Sequence, residues 1–294
     1  MLSILLPVYN YNVVPLVMEL HKQCLECKID FEILCQDDTS NLIEPDNQKI
    51  NSLKNCGFSE NKLNLGRGKN INSLAEKAQF DWLLIMDCDT FPTKNNFIQH
   101  YVSQINKNEK VVFGGIEYQK EKPSNDQLLR WIYGSVRESL SVAKRNSNPN
   151  GNALTSNILI QKSVFVSNPF EESITKYGYE DLVFLSDLKK KGILVKHIDN
   201  PTYHLGLETS QQFLEKTKTA LENLKLITET TSLDSSESKL LKVSNLLKSL
   251  YLASFIAFIF HTTERKIERN LLSLKPSLLL FDLYKLGYFC SLKN

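Results

Sequence analysis

The sequence predicts an α/β protein: a mostly parallel sheet flanked by helices, followed by an all-helical C-terminal extension. Three observations predict this. Short apolar runs alternate with helical apolar stripes over the first two-thirds of the chain. Acidic or small polar residues stand directly after those runs, where open sheets of this class place their ligands. Beyond Gly206 the strand pattern stops and only helical periodicity remains.

The elements follow in order. Ser3–Leu6 reads as a strand stopped by Pro7, and Val13, Leu16, Val17, Leu20 and Cys24 fall on one helical face. Phe31–Cys35 is the second strand. Ile71, Leu74, Ala75 and Ala78 make the stripe of a helix that leads into the strand Trp82–Met86. Val111–Phe113 is closed by Gly114 and Gly115, and Ile158–Ile160 is another short strand. Leu182, Leu185 and Leu188 mark a helix opening at Tyr177–Asp181 and ending at Lys189–Gly192. Its acidic first turn and basic last turn complement the helix dipole, so a structural role for Glu180 and Asp181 stands beside any chemical one. Ile193–Ile198 is the last strand expected. A helix over 211–228, a polar linker over 231–238 and two helices broken at Lys275 and Pro276 complete the chain. The expected division is a catalytic region over 1–208 and a helical extension over 209–294. The catalytic region has a donor-side half over about 1–115 and an acceptor-side half over about 116–208.

Composition excludes several classes. The 294 residues are 42% hydrophobic and 23% charged, which is ordinary for a globular chain and unlike a disordered or fibrous one. A net charge of +2 argues against nucleic acid held by bulk charge. The six cysteines are too scattered for a secreted disulfide framework. Cys24 and Cys27 have zinc-knuckle spacing, with His21 one turn earlier, but no second pair completes four ligands. The first residues lack a basic segment and a small-residue cleavage site, so a cytoplasmic setting is expected.

Chemistry concentrates at the strand ends. Asp37 and Asp38 follow the second strand, and Asp87-Cys88-Asp89 follows the run ending at Met86. The loop from Asn64 to Asn70 supplies Gly66, Gly68, Arg67 and Lys69 before a helix. Carboxylates on one side and a flexible cationic loop on the other suit a metal-bridged diphosphate.

In these features the chain resembles the inverting family-two glycosyltransferases of bacteria, with their GT-A, Rossmann-like fold. The resemblance runs from Met1 to about Glu208. Ser3–Asn10 is similar to the opening strand and nucleotide loop, and Glu32–Ser40 to the strand carrying the base-contacting acid. Asn64–Asn70 is similar to the donor-binding helix start. Asp87-Cys88-Asp89 looks like the DxD motif, Ser156–Lys162 like the acceptor-side strand, and Gly178–Asp181 like the ED motif. His204 stands where many members carry a late metal-binding histidine.

The resemblance implies a nucleotide sugar, UDP-linked first of all, and Mn²⁺ or Mg²⁺ held by Asp89 and His204. It implies a general base at Asp181, or alternatively Glu180. Pro7, Tyr9, Asp37, Asp38, Asn64, Gly66, Lys69, Asp87 and Cys88 would contact the donor, with one of the two strand-end acids free to cap its own turn instead. Trp131, Asn157 and Tyr179 would face the acceptor, a glycan or lipid-linked glycan in surface polysaccharide synthesis. The residue types suit that chemistry: a carboxylate accepts the proton of an attacking hydroxyl, and a cation stabilises the departing diphosphate.

Two other functions compete. Leu83–Thr90 resembles the first motif of haloacid-dehalogenase-like phosphohydrolases, with Asp87 as nucleophile, although Phe91 stands where that motif wants Thr or Val. An inactive GT-A-like binding subunit is the non-enzyme alternative. The apolar run Leu250–Phe260, shorter than the roughly 20 residues of a membrane span, admits two readings. It is a core helix, or it is part of a face resting on the inner surface of a membrane, flanked by Lys242, Lys248, Arg265, Lys266 and Arg269. Oligomeric state is open.

Overall fold

The structure is a computed structural model and describes residues 1–42, 44–105, 107, 109–174, 176–231 and 233–292. In chain order the strands are β1 (Leu2–Val8), β2 (Phe31–Asp37), β3 (Cys56–Glu60), β4 (Trp82–Met86), β5 (Thr90–Pro92), β6 (Val111–Phe113), β7 (Ile116–Glu117), β8 (Asn157–Gln161), β9 (Lys196–His197) and β10 (Thr202–His204). The helices are α1 (Val14–Glu26), α2 (Arg67–Lys77), α3 (Phe97–Ile105), α4 (Leu128–Tyr133), α5 (Val142–Asn146), α6 (Lys162–Val166), α7 (Glu180–Lys190), α8 (Ser210–Thr230), α9 (Lys239–Ser249), α10 (Ala253–Leu271) and α11 (Leu278–Ser291).

The chain forms two compact units. The first comprises Met1–Tyr118, Ser139–Thr175 and Val183–Gly206; the second comprises Gln119–Glu138, Lys176–Leu182 and Leu207–Asn294. The segments 119–138 and 176–182, expected within the acceptor-side half, belong instead to the second unit.

The first unit is built on a seven-stranded sheet in the order β3-β2-β1-β4-β8-β6-β9. Neighbours are parallel except β8, which runs antiparallel to both β4 and β6. Side chains alternate faces along each strand. Leu2, Ile4, Leu6 and Val8 of β1 enter one core layer with Leu16, Val17 and Leu20 of α1 and Phe97 and Tyr101 of α3. Leu5 of β1, with Leu83 and Ile85 of β4, enters the other layer with Ile71, Leu74 and Ala75 of α2 and Phe165 of α6. A three-stranded sheet, β5-β10-β7, completes the unit.

Two strand expectations are corrected. Pro7 does not stop β1. The ladder to β4 ends at Leu5, so Pro7 lies where no bond is required on that side, while pairing with β2 continues to Val8. Only Lys196 and His197 of the run 193–198 form a strand, because they pair with β6, itself just Val111–Phe113.

His197 is buried, its Nε2 lies 2.8 Å from the Pro149 carbonyl, and its Nδ1 has no hydrogen-bond partner among the described residues. Burial is the main cause that holds its pKa below the ordinary 6.5, with the Arg145 charge adding to it. The neutral ring is therefore the folded form. Its stabilising contribution is complete above the unfolded value and is lost as pH falls below it, because the unfolded chain then binds the extra proton. Melting temperature should drop from about pH 7 to about pH 5, and less steeply in His197→Gln, as thermal denaturation across that range checks.

The second unit is helical. Leu129, Leu214, Phe260, Leu271, Phe281 and Tyr284 form one core cluster, and Leu221, Leu224, Leu241 and Phe289 another. Lys218 of α8 reaches Glu264 and Glu268 of α10, and the Tyr284 hydroxyl donates to Glu268 at 2.7 Å. Sequence periodicity gives one helix where the structure has α9 and α10, bent by 115° with Tyr251 left-handed at φ 59°. Of the run 250–260 only Phe260 is buried, so a core role for the run as a whole is corrected. No single described helix is long and apolar enough to cross a membrane.

Candidate active site

In the first unit the strand ends carry the expected acids, and the small sheet adds a partner. β5 and β10 pair antiparallel, with Thr90 opposite His204, and the Leu205 N–H donates to the Asp89 carbonyl at 2.8 Å. This register brings His204 Nε2 to 3.3 Å from Asp89 Oδ2. The Tyr118 and His204 ring centroids lie 5.5 Å apart, tilted by 33°. Among the described residues no three His, Cys, Asp or Glu side chains gather as a metal cage. The Asp89 and His204 pair offers a cation oxygen and nitrogen donors. A mixed oxygen and nitrogen set fits Mn²⁺ better than Ca²⁺.

Gly206 permits the pair. A Cβ there would stand 2.3 Å from Asp89 Oδ2 and 2.8 Å from Asp89 Cβ. Gly206→Ala should push the carboxylate away from His204, weakening Mn²⁺-dependent nucleotide binding about tenfold or more with little loss of stability. Calorimetric titration of nucleotide with and without Mn²⁺ is the check.

Asp87 lies beside this pair in sequence and is held differently. Arg67 donates to its Oδ1 through Nε at 2.9 Å and through Nη2 at 2.6 Å. Its backbone is fixed by Ser156 and Thr90. Cys88 has its thiol pKa raised, first by burial and then by the Asp89 charge. Tyr11 is raised likewise by burial and by Asp89. Lys69 is half-buried in the first turn of α2. Arg67 carries an ion pair to Asp87 of the Asp87-Cys88-Asp89 segment. Its signal in the sequence was a cation at a helix start next to two glycines.

Asp38 is buried and fully engaged. Its carboxylate accepts from the backbone N–H groups of Leu65 and Gly66 and from Asn61 Nδ2, each at 2.8 Å. Asn64 Nδ2 donates to the Asp38 carbonyl at 2.8 Å. Asp38 thus holds the loop that starts α2, where Gly66 takes φ 82°, a conformation that favours glycine. Asp37 accepts from the Ser40 N–H at 2.8 Å and from its hydroxyl at 2.5 Å, capping its own turn. Tyr9 is exposed and its hydroxyl accepts from Asn41 Nδ2 at 3.0 Å, joining the loops after β1 and β2. Pro7 stays within β1.

Asn157, expected to face the acceptor, lies in the interior. It is fully buried, its amide donates to the Gly115 and Asn200 carbonyls, and its Oδ1 accepts from the Tyr101 hydroxyl at 2.7 Å. These bonds fix the end of β8.

The second unit holds Glu180, Asp181, Tyr179 and Trp131. Glu180 and Asp181 form the acidic first turn of α7 and are half-buried. The turn before them is left-handed at Gly178 and Tyr179, with φ of 102° and 69°. Asn223 of α8 clamps it, donating to the carbonyls of Lys176 at 2.9 Å and Gly178 at 2.6 Å. Asn223 is a buried positioning residue that no sequence signal marked. Burial pushes the Tyr179 hydroxyl up to about 12. Trp131 is half-buried, and its Nε1 donates to the Gln119 carbonyl at 2.8 Å.

The family model described as glycosyl transferase family 2 matches residues 3–166, more than half of the chain. The chain belongs to glycosyl transferase family 2. Among solved structures, the mannosyltransferase PcManGT from Pyrobaculum calidifontis, in complex with GDP-Man and Mn²⁺, matches this family 2 chain with a TM-score of 0.56. Identity is 11%, over 97% of this chain and 85% of that one. S. aureus TarS matches at a TM-score of 0.48 and 17% identity, over 88% of this chain; the chain spans 43% of TarS. TarS 1–349 in complex with UDP-GlcNAc matches at 0.47 and 16%, over 88% and 72%. No curated protein matches in sequence at a significant level. The fold is GT-A with a helical C-terminal region, and family 2 membership displaces the phosphohydrolase alternative.

Proposed function

We propose that this family 2 glycosyltransferase moves a sugar from a nucleotide sugar to a hydroxyl of a glycan or lipid-linked glycan, with inversion and with Mn²⁺ or Mg²⁺. The carrying observation is the Asp89 and His204 pair at 3.3 Å on the sheet edge that follows the DxD segment. Asp89 and His204 would hold the cation. Bound there, it would supply positive charge against the diphosphate.

The chain's own residues do the rest. Arg67, fixed on Asp87 at the first turn of α2, adds a cation where the helix N-terminus already favours phosphate. Asp38 keeps the 64–66 loop in the shape that presents that terminus. Asp181 accepts the acceptor hydroxyl proton while the oxygen forms its bond to the anomeric carbon. The bond from that carbon to the phosphate oxygen breaks as the nucleoside diphosphate departs. A single displacement needs no covalent intermediate and inverts the anomeric centre. Uridine is the first base to test. Because PcManGT was solved with GDP-Man, guanosine belongs in the same screen. In this reading the acceptor belongs to surface polysaccharide synthesis, and the protein works in the cytoplasm or on the inner face of the cell membrane.

A thermal-shift screen of nucleotides and nucleotide sugars, with and without Mn²⁺, tests the reading. One donor class should raise the melting temperature only when Mn²⁺ is present, as native-state binding requires. A chain that no nucleotide stabilises under either condition contradicts it and favours the inactive-subunit alternative.

A further inference from the structure

We infer that the turn joining α9 to α10, with the first two turns of α10, docks into the surface of an anionic lipid bilayer. This goes beyond sugar transfer and stands without it.

Tyr251 at the apex is 93% exposed, and Phe258 and Phe255 are 66% and 58% exposed. Leu246, Leu250, Leu252 and Ile259 add exposed aliphatic surface around them. Large side chains of this kind, contiguous on a surface, mark an interaction site. The spacing of Phe255, Phe258, Ile259, Thr262, Arg265, Lys266 and Arg269 keeps them on one helical face, and each is exposed. That face is apolar at its start and basic two turns later. Phe258 and Arg265 are separated by about 10 Å of helix rise. Basic side chains beside an apolar helix patch engage the headgroups while the patch enters the acyl boundary.

Charge complements an anionic surface. From Lys239 to Thr263 there are three lysines and no acidic residue. The acids of α10, Glu264 and Glu268, are taken by Lys218. Bent by 115°, the apex is a protruding apolar corner. A deformable bilayer accepts such a corner directly, whereas a second copy of this chain would need a matching hollow.

The test is co-sedimentation of the full chain with phosphatidylcholine vesicles, with or without about 30% phosphatidylglycerol, at low salt. The wild type should pellet with the anionic vesicles. Phe255→Ser with Phe258→Ser should weaken pelleting about tenfold or more. Arg265→Gln, Lys266→Gln and Arg269→Gln together should weaken it about tenfold and remove the preference for anionic lipid. Both variants change exposed side chains, so melting temperature and Mn²⁺-dependent nucleotide binding should match wild type, which separates this outcome from failure of the sugar-transfer reading. Wild-type protein left in the supernatant with both vesicle types overturns the inference. So do variants that pellet like wild type, or a lipid-free dimer that the phenylalanine variant dissociates.

Discussion

Asp89→Ala removes the Mn²⁺-dependent part of donor binding and lowers sugar transfer by at least about a hundredfold. The expectation follows from the pair geometry. His204 alone gives one nitrogen donor, and the described residues hold no third His, Cys, Asp or Glu close enough to take over. The loss should appear in two independent readings: the thermal shift produced by nucleotide plus Mn²⁺ falls to the shift produced without the metal, and transfer falls with it. Asp89→Asn keeps the shape and the oxygen but not the charge, and should retain part of the binding. An Asp89→Ala enzyme with unchanged Mn²⁺ dependence would remove this residue from the cation site.

Asp181→Asn should lower kcat by about 10²–10⁴-fold while donor affinity stays near the wild-type value, since a general base acts on the acceptor proton and not on the nucleotide. The isosteric amide keeps the first turn of α7 intact, and Asn223 continues to clamp the turn before it. Glu180→Gln should be much milder if Asp181 is the base. Steady-state kinetics with both substrates varied, beside donor titration, separates the cases. An equal fall in donor affinity would place Asp181 with the nucleotide, and a severe Glu180→Gln with a mild Asp181→Asn would exchange their roles.

Much of the sheet was legible because its strands are nearly continuous apolar runs, as buried parallel strands must be. Strand direction was not, since β8 has the same apolar texture whether parallel or antiparallel. The break between α9 and α10 carries no Gly or Pro, so periodicity ran straight through Leu250–Leu252. At the site, the acids were visible as strand-end residues. The meeting of Asp89 and His204 depends on the register of β5 against β10, which spacing along the chain does not encode. Asp38 stood out as a strand-end acid, but that its buried carboxylate holds Asn61 and the backbone N–H groups of Leu65 and Gly66 was not legible, because folding brings those donors to it. Asn157 and Asn223 act through carbonyls brought near by folding, so neither has a sequence signature.

The most direct test of the cation site is a titration of Mn²⁺, followed by electron paramagnetic resonance, with and without a nucleoside diphosphate. Two protein donors are too few for firm binding alone, so Mn²⁺ should bind weakly to the protein and tightly once the matching nucleotide is added. His204→Ala and Asp89→Ala should each abolish the gain. Manganese affinity that is indifferent to every nucleotide, or a gain that survives both substitutions, would contradict the account.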